Sequence, residues 1–369
     1  MRDNFISNLR LVVIKVGTSV LASRTHPFER QAIKNIAVQI CALLNKGIKV
    51  VLVSSGAIGA GMNVLGLKSR PKTLQKLQAA AAIGQSQLMK AYEEEFKDEG
   101  KIVAQVLLTR EDLEDRKRYL NAKNTVFTIL DYGAIPVINE NDTVSAEEIK
   151  FGDNDTLASL VTNLVGADLL IILSDVDGLH KHNGKGEIID IVKEITPQIE
   201  KLASGTTKET SMGGMATKIK AARVVTDSGI PLIIANGRRE DILIKVINGE
   251  KIGTLFIPKL NKMAAKKRWI AFSTRLKGSV IVDAGAKQAL CERKKSLLSS
   301  GITGVEGRFE AGDIIMIKDD KGREFARGLV NYSSAEVGKI KGAKSREIET
   351  SLGYKYYDEV IHRDNLVIV

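Results

Sequence analysis

Lys15 closes an otherwise apolar run, "LVVIK", and two residues later stands Gly17-Thr18-Ser19. An ammonium group inside a buried strand needs a negative partner, because taking an unpaired charge out of water is costly. A phosphate supplies one. The plainer reading is a lysine on an edge strand with its head in water. Five more segments raise the same question. "VLVSSGAIGAGM" (51–62) runs from apolar residues into Ser54, Ser55 and Gly56, with Gly59 and Gly61 beyond. Glycines let a ligand approach the backbone, and amides at a helix start hold anions. "PVINEND" (136–142) ends in Asn139, Glu140, Asn141 and Asp142, and "FGDND" (151–155) opens a helical pattern. Asn and Asp offer donors and acceptors to a substrate with an ammonium and carboxylates. A helix cap at Asp153 or Asn154 is the plainer reading of the second segment, but it leaves 139–142 unexplained. "LSDVDGL" (173–179) sets Ser174, Asp175 and Asp177 at another apolar exit, as a turn or a nucleotide contact. "SMGGMATKIKAA" (211–222) puts Gly213-Gly214 before a helix whose first turn holds Thr217 and Lys218. Gly-rich amides, a helix N-terminus and a lysine make a phosphate cradle.

These segments need elements that bring them together. Apolar, β-branched runs at 11–16, 48–54, 101–108, 134–139, 168–174 and 230–236 predict strands buried on both faces. Between them, helical periodicity covers Glu29–Asn45, Leu74–Glu95, Tyr119–Leu130, Thr156–Val165 and Met215–Ser228. Strand alternating with helix predicts an α/β fold, a doubly wound, mainly parallel sheet sandwiched by helices. In such sheets ligands bind at the carboxyl ends of the strands, so the polar exits fall on one edge. After Pro258 the pattern changes. A basic connection with the only Trp, Trp269, leads to short strand-like runs split by Gly-containing turns, among them "DDKG" at Asp319–Gly322. The expected organisation is a catalytic domain over 1–258, a linker over 259–277 and a small β-rich domain over 278–369.

Several function classes are excluded or weakened. The longest apolar runs, such as "LLIIL" at 169–173, are too short to span a bilayer, and no signal peptide is read. Cys41 and Cys291 are far apart and form neither a disulfide framework nor a metal-ligand pattern, so a cytoplasmic protein with no protein-held metal is expected. No G-x-G-x-x-G with an acid about twenty residues on is present, which argues against a dehydrogenase. From Lys259 onward there are 22 Lys and Arg against 14 Asp and Glu, so most of the net charge of +11 belongs to the last third. Such a surface suits a polyanion, or is simply well solvated.

In their order along the chain, "IKVGTSVL", "SSGAIGAG", "PVINENDTV", "FGDNDTLA", "LSDVDGL" and "GGMATK" resemble the glutamate 5-kinases of the amino acid kinase family. The pair "INEND" and "GDND" sets that group apart from acetylglutamate, aspartate, carbamate and uridylate kinases. The C-terminal part, with "GSVIVDAGAKQAL" and "LGYKYYDEVIHRDNLVIV", looks like a PUA domain. The resemblance covers nearly the whole chain. It implies ATP-dependent phosphorylation of the side-chain carboxylate of L-glutamate, the first step towards proline, with ATP and Mg²⁺ as cofactors. It also implies these roles: Lys15 and Lys218 hold the transferring phosphoryl group and Asp155 orients both. Ser55, Asp142 and Asn154 bind glutamate. Lys15, Ser174 and Asp175, with Met212, Gly213, Gly214, Met215, Ala216, Thr217 and Lys218, bind the nucleotide. Ser211-Met212 departs from the Gly-Thr that often precedes Gly-Gly-Met. Proline as feedback inhibitor, RNA as partner of the PUA domain, a homo-oligomer and no membrane contact are further implications. The competing readings are another carboxylate or carbamate kinase of the family, and an RNA-binding PUA protein.

Overall fold

In the strand Leu11–Val16 four of six residues are β-branched, and the pleat sends alternate side chains to opposite faces. The computed structural model describes residues 2–22, 26, 28–144, 154–182, 185–204, 214–258, 270 and 276–369. The chain divides into two units, Met1–Asn261 and Lys262–Val369.

Along the first unit run α1 (Asp3–Ile6), β1 (Leu11–Val16), α2 (Thr18–Leu21), α3 (Arg30–Asn45), β2 (Lys49–Ser54), α4 (Ala57–Val64), α5 (Leu74–Asp98) and β3 (Val103–Leu108). Then come α6 (Arg110–Glu114), α7 (Arg116–Asp131), β4 (Ile135–Glu140), α8 (Asn154–Val165), β5 (Leu169–Ser174) and a hairpin of β6 (His180–His182) and β7 (Lys185–Ile188). The unit closes with β8 (Ile191–Val192), α9 (Pro197–Ser204), α10 (Met215–Asp227), β9 (Leu232–Asn236), α11 (Ile242–Ile247) and β10 (Thr254–Phe256). The main sheet has eight strands in the order β3-β4-β2-β1-β5-β9-β10-β8. From β3 through β9 every neighbour is parallel, and β10 runs antiparallel to β9. The chain winds outward from β1 on one side and returns at β5 on the other. β1 is therefore the switch point, where the loops above the carboxyl edge part.

The six apolar runs all form strands of this sheet. The two residues of β8 carry no periodicity from which a strand could be expected. Val12, Ile14 and Val16 enter a core shared with α3, α5 and α11, while Val13 enters the opposite core, shared with α7, α8 and α10. Parity therefore places Lys15 on the α8 and α10 side, and Ser54, after Val50 and Leu52, on the α5 side. In α3, Ile33, Ile36, Ala37, Ile40 and Leu43 are buried at helical spacing.

Two glycines set the α4–α5 contact. A Cβ on Gly61 would lie 1.8 Å from the Ala80 carbonyl oxygen, and one on Gly84 would lie 1.8 Å from the Ala57 carbonyl oxygen. The helices thus touch backbone to backbone just after Ser55. Far from this edge, Arg2 ties the N-terminus to the sheet, donating to the carbonyls of Asp190, Glu250, Ile252 and Gly253 and pairing with the Asp190 carboxylate at 2.6 Å.

The second unit holds β11 (Gly278–Val282), β12 (Ile302–Gly307), β13 (Ile314–Lys318), β14 (Glu324–Leu329) and β15 (Leu366–Ile368) in the order β12-β11-β13-β14-β15. Its core includes Phe309, Tyr332, Ile317 and Ile361. The turn expected at "DDKG" joins β13 to β14: Gly322 N–H donates to Asp319 O at 2.9 Å, with Gly322 at φ +75°. No helix among the described residues is long and apolar enough to cross a membrane.

Gly84→Ala forces α4 and α5 apart, and overpacking of this kind costs about 1–3 kcal/mol. The variant should show that loss in urea denaturation, whereas Gly100→Ala, at a glycine whose Cβ would meet nothing within 4 Å but whose φ is +67°, should lose only about 1 kcal/mol from its backbone conformation.

Candidate active site

Lys15 on β1, Asp155 in the first turn of α8 and Lys218 in the first turn of α10 meet at the carboxyl edge of the sheet. Lys15 Nζ lies 2.6 Å from Asp155 Oδ1, and Lys218 Nζ lies 3.1 Å from Asp155 Oδ2. Lys15 is 5% exposed, Lys218 3% and Asp155 not at all. The edge-strand reading of Lys15 is thereby overturned: β1 is central, and the ammonium reaches a carboxylate rather than water. Burial by itself would raise the Asp155 pKa, but the two ammonium groups outweigh it and hold the acid at about 2. The Thr217 hydroxyl lies 2.8 Å from Asp155 Oδ2 and equally far from the Gly214 carbonyl oxygen, and donates to one at a time. Among the described residues two buried lysines share this one carboxylate, and such a pair of cations suits an anion of the size of a phosphoryl group.

Beside the ion group runs a line of side-chain amides. Asn154 Nδ2 lies 2.8 Å from Ser55 Oγ, 3.0 Å from Asn139 Oδ1 and 3.3 Å from the Ser54 carbonyl oxygen. Asn154 is thus turned into the sheet edge and is not a helix cap; Asp153 lies outside the described residues. Asn139 Oδ1 also accepts from Glu140 N–H at 2.9 Å, and Asn139 Nδ2 donates to Gln85 Oε1 of α5 at 2.8 Å. On the α5 side of the sheet, Ser54 Oγ and Tyr92 OH are 2.8 Å apart.

Asp142 is half-buried just past β4. Burial and the neighbouring Glu140 push its pKa up to about 6, against a smaller opposing pull from Arg70. Arg70, in the segment before α5, is half-buried too, and burial lowers its pKa.

On the other side of β1 stand Ser174 and Asp175. Asp175 Oδ1 accepts from Ser19 Oγ at 3.1 Å and from Ser174 Oγ at 3.2 Å. Arg238, past β9, donates to the carbonyls of Ser19 at 2.6 Å and Ala22 at 2.9 Å, and Arg239 pairs with Asp177 at 2.8 Å. Gly214 precedes α10, with Met215 and Ala216 in its first turn; Met212 and Gly213 lie outside the described residues. Sequence reading missed Gln85, Arg70 and Arg238. The cluster "NGRRE" after an apolar run was an available signal for Arg238, whereas Gln85 sits mid-helix with none.

The family model described as "Amino acid kinase family" matches residues 10–236, and the model described as "PUA domain" matches 278–352. The chain belongs to the amino acid kinase family. Within that family it is 52% identical over 362 residues to glutamate 5-kinase of Caldanaerobacter subterraneus subsp. tengcongensis, covering 97% of each chain. It is 50% identical over 362 residues to glutamate 5-kinase of Thermoanaerobacter sp., again covering 97% of each. It is 49% identical over 372 residues to glutamate 5-kinase of Syntrophotalea carbinolica, covering 100% of each. Both units of this family member thus lie within the matched length.

Asp142 carries a stability cost that titrates. Its folded pKa, about 6, stands above its ordinary 3.8, so the folded state binds the proton more tightly and stability falls as pH rises from about 4 to 6. Asp142→Asn should therefore raise Tm at pH 7.5, and the gain should vanish near pH 4. Calorimetric melting at both pH values checks it.

Proposed function

We propose that this protein transfers the γ-phosphoryl group of ATP to the side-chain carboxylate of L-glutamate, giving L-glutamyl 5-phosphate and ADP. The observation that carries the reading is the meeting of two buried lysines on one buried carboxylate at the switch point of the sheet. Kinship to named glutamate 5-kinases over almost the full length supports the choice of substrate.

In this reaction a glutamate carboxylate oxygen forms a bond to Pγ as the bond from Pγ to the β-bridging oxygen breaks. The nucleophile is already ionised at neutral pH, so no general base is required. Catalysis then rests on alignment and on charge neutralisation. Lys15 and Lys218 act as point charges on the phosphoryl oxygens. Asp155, ionised at any working pH, holds both heads in register. In this reading Ser174, Asp175 and residues 212–218 bind the nucleotide, and Ser55, Asp142 and Asn154 bind glutamate; Met212 and Gly213 lie outside the described residues. Ser19, Ser174 and Asp175 are hard oxygen donors, which fit a magnesium ion carried on the ATP phosphates. An ion held there would neutralise phosphate charge. The acyl phosphate hydrolyses readily, so the buried position of the triad also serves to limit water.

The reading extends to feedback by proline, the end product of the route that glutamyl phosphate opens. Proline shares the α-ammonium and α-carboxylate of glutamate and lacks the γ-carboxylate, so it occupies the site and does not react. It extends as well to a cytoplasmic oligomer built through the first unit, and to RNA as partner of the basic second unit.

Asp155→Asn should lower kcat by two or more orders of magnitude in a protein that still folds; near-normal turnover would reduce Asp155 to a structural role. Lys15→Met and Lys218→Met should each lower kcat more than they raise the glutamate KM. A rise in KM alone would move that lysine away from the phosphoryl group. Proline inhibition should fade as glutamate rises, and inhibition undiminished at saturating glutamate would require a separate proline site.

A further inference from the structure

We infer that Gln85 is a substrate-binding residue whose side-chain amide donates to the α-carboxylate of glutamate, an assignment that rests on the glutamate reading above. The argument starts from hydrogen-bond directions. Glu140 N–H is a fixed donor, and it lies 2.9 Å from Asn139 Oδ1. That sets the Asn139 amide: its oxygen faces the backbone and Asn154, and its nitrogen faces Gln85. Asn154 must then present its nitrogen to Asn139, at 3.0 Å, and Gln85 must present its oxygen, at 2.8 Å. The two outer ends of the line are thereby determined. One is an acceptor, Asn154 Oδ1, and the other is a donor, Gln85 Nε2.

Both end atoms are buried, and neither has a hydrogen-bond partner among the described residues. Buried polar atoms of this kind are rare in native proteins, and each calls for a reason. A ligand that offers one donor and one acceptor answers both, and the α-ammonium and α-carboxylate of an amino acid are such a pair. The order of the line gives the direction. Asn154 adjoins Asp155, which holds the two lysines, and Gln85 is the end farthest along the chain of contacts from them. The γ-carboxylate belongs at the lysines, so the α end of the substrate lies along the amides. The backbone contact of Gly84 with α4 holds Gln85 at this edge.

Gln85→Glu isolates the donor. It keeps the oxygen that accepts from Asn139 and replaces the nitrogen by a second acceptor. ADP release is measured with glutamate and with its α-amide, in wild type, Gln85→Glu and Gln85→Met. In Gln85→Glu the glutamate KM should rise tenfold or more, and the preference for glutamate over the α-amide should shrink by at least as much, since an amide can donate to the new carboxylate. Gln85→Met should lose affinity for both. An unchanged glutamate KM and an unchanged preference in Gln85→Glu would overturn the inference and leave Gln85 as a support for Asn139. Should Gln85→Glu fail to fold, calorimetric titration of wild type decides: about tenfold tighter binding of glutamate than of the α-amide is expected, and equal affinities overturn it. If wild type turns over no glutamate, the glutamate reading itself falls; if wild type is active and only the preference test fails, the failure is confined to Gln85.

Discussion

The structure of the first unit turns on the buried carboxylate of Asp155. A fully buried acid is tolerated only when its charge is met, and here two lysines from different elements meet it. The sheet, α8 and α10 must therefore arrive at one point within hydrogen-bond distance. Among the described residues two buried ammonium groups share one buried carboxylate, and keeping such charges out of water is costly unless each is met.

Parity along the strands distributes the remaining work. The pleat sends Lys15 to the α8 and α10 face and Ser54 to the α5 face, where it meets Tyr92. Ser55, just past β2, and Asn139, next to last in β4, reach the N-terminus of α8. β1 sits between strands that the chain visits early and late, so the polar exits of β2 and β4 lie on one side of it and those of β5 and β9 on the other. The Gly61–Gly84 contact brings α5 close enough for Gln85 to join the amides.

Not every polar group at this edge is at ease. Asp142 is held in surroundings that favour its protonated form, and the outer atoms of the amide line lack partners among the described residues. Such costs gather where a ligand supplies the missing charge or hydrogen bond. Across β1 the side chains are better satisfied: Arg238 and Asp175 knit α2 to the exits of β5 and β9. The strain is concentrated at the exits of β2 and β4.

The sequence by itself determined the alternation of strand and helix, the six long strands and the identity of the polar exits, because each is written in local periodicity and turn chemistry. Lys15, Asp155 and Lys218 were legible as chemistry: a lysine in an apolar strand and an acid and a lysine at helix starts are conspicuous. That Asp155 orients both lysines came only from the family resemblance, since ion pairing between residues 140 and 63 positions apart leaves no local trace; the tertiary structure supplied the contacts, at 2.6 and 3.1 Å. It also decided that Asn154 turns into the sheet instead of capping α8, because that choice depends on Asn139 and Ser55 being within reach. Gln85 was silent in sequence for the same physical reason. A polar residue in a long helix reads as solvated surface until the strand beside it supplies a partner.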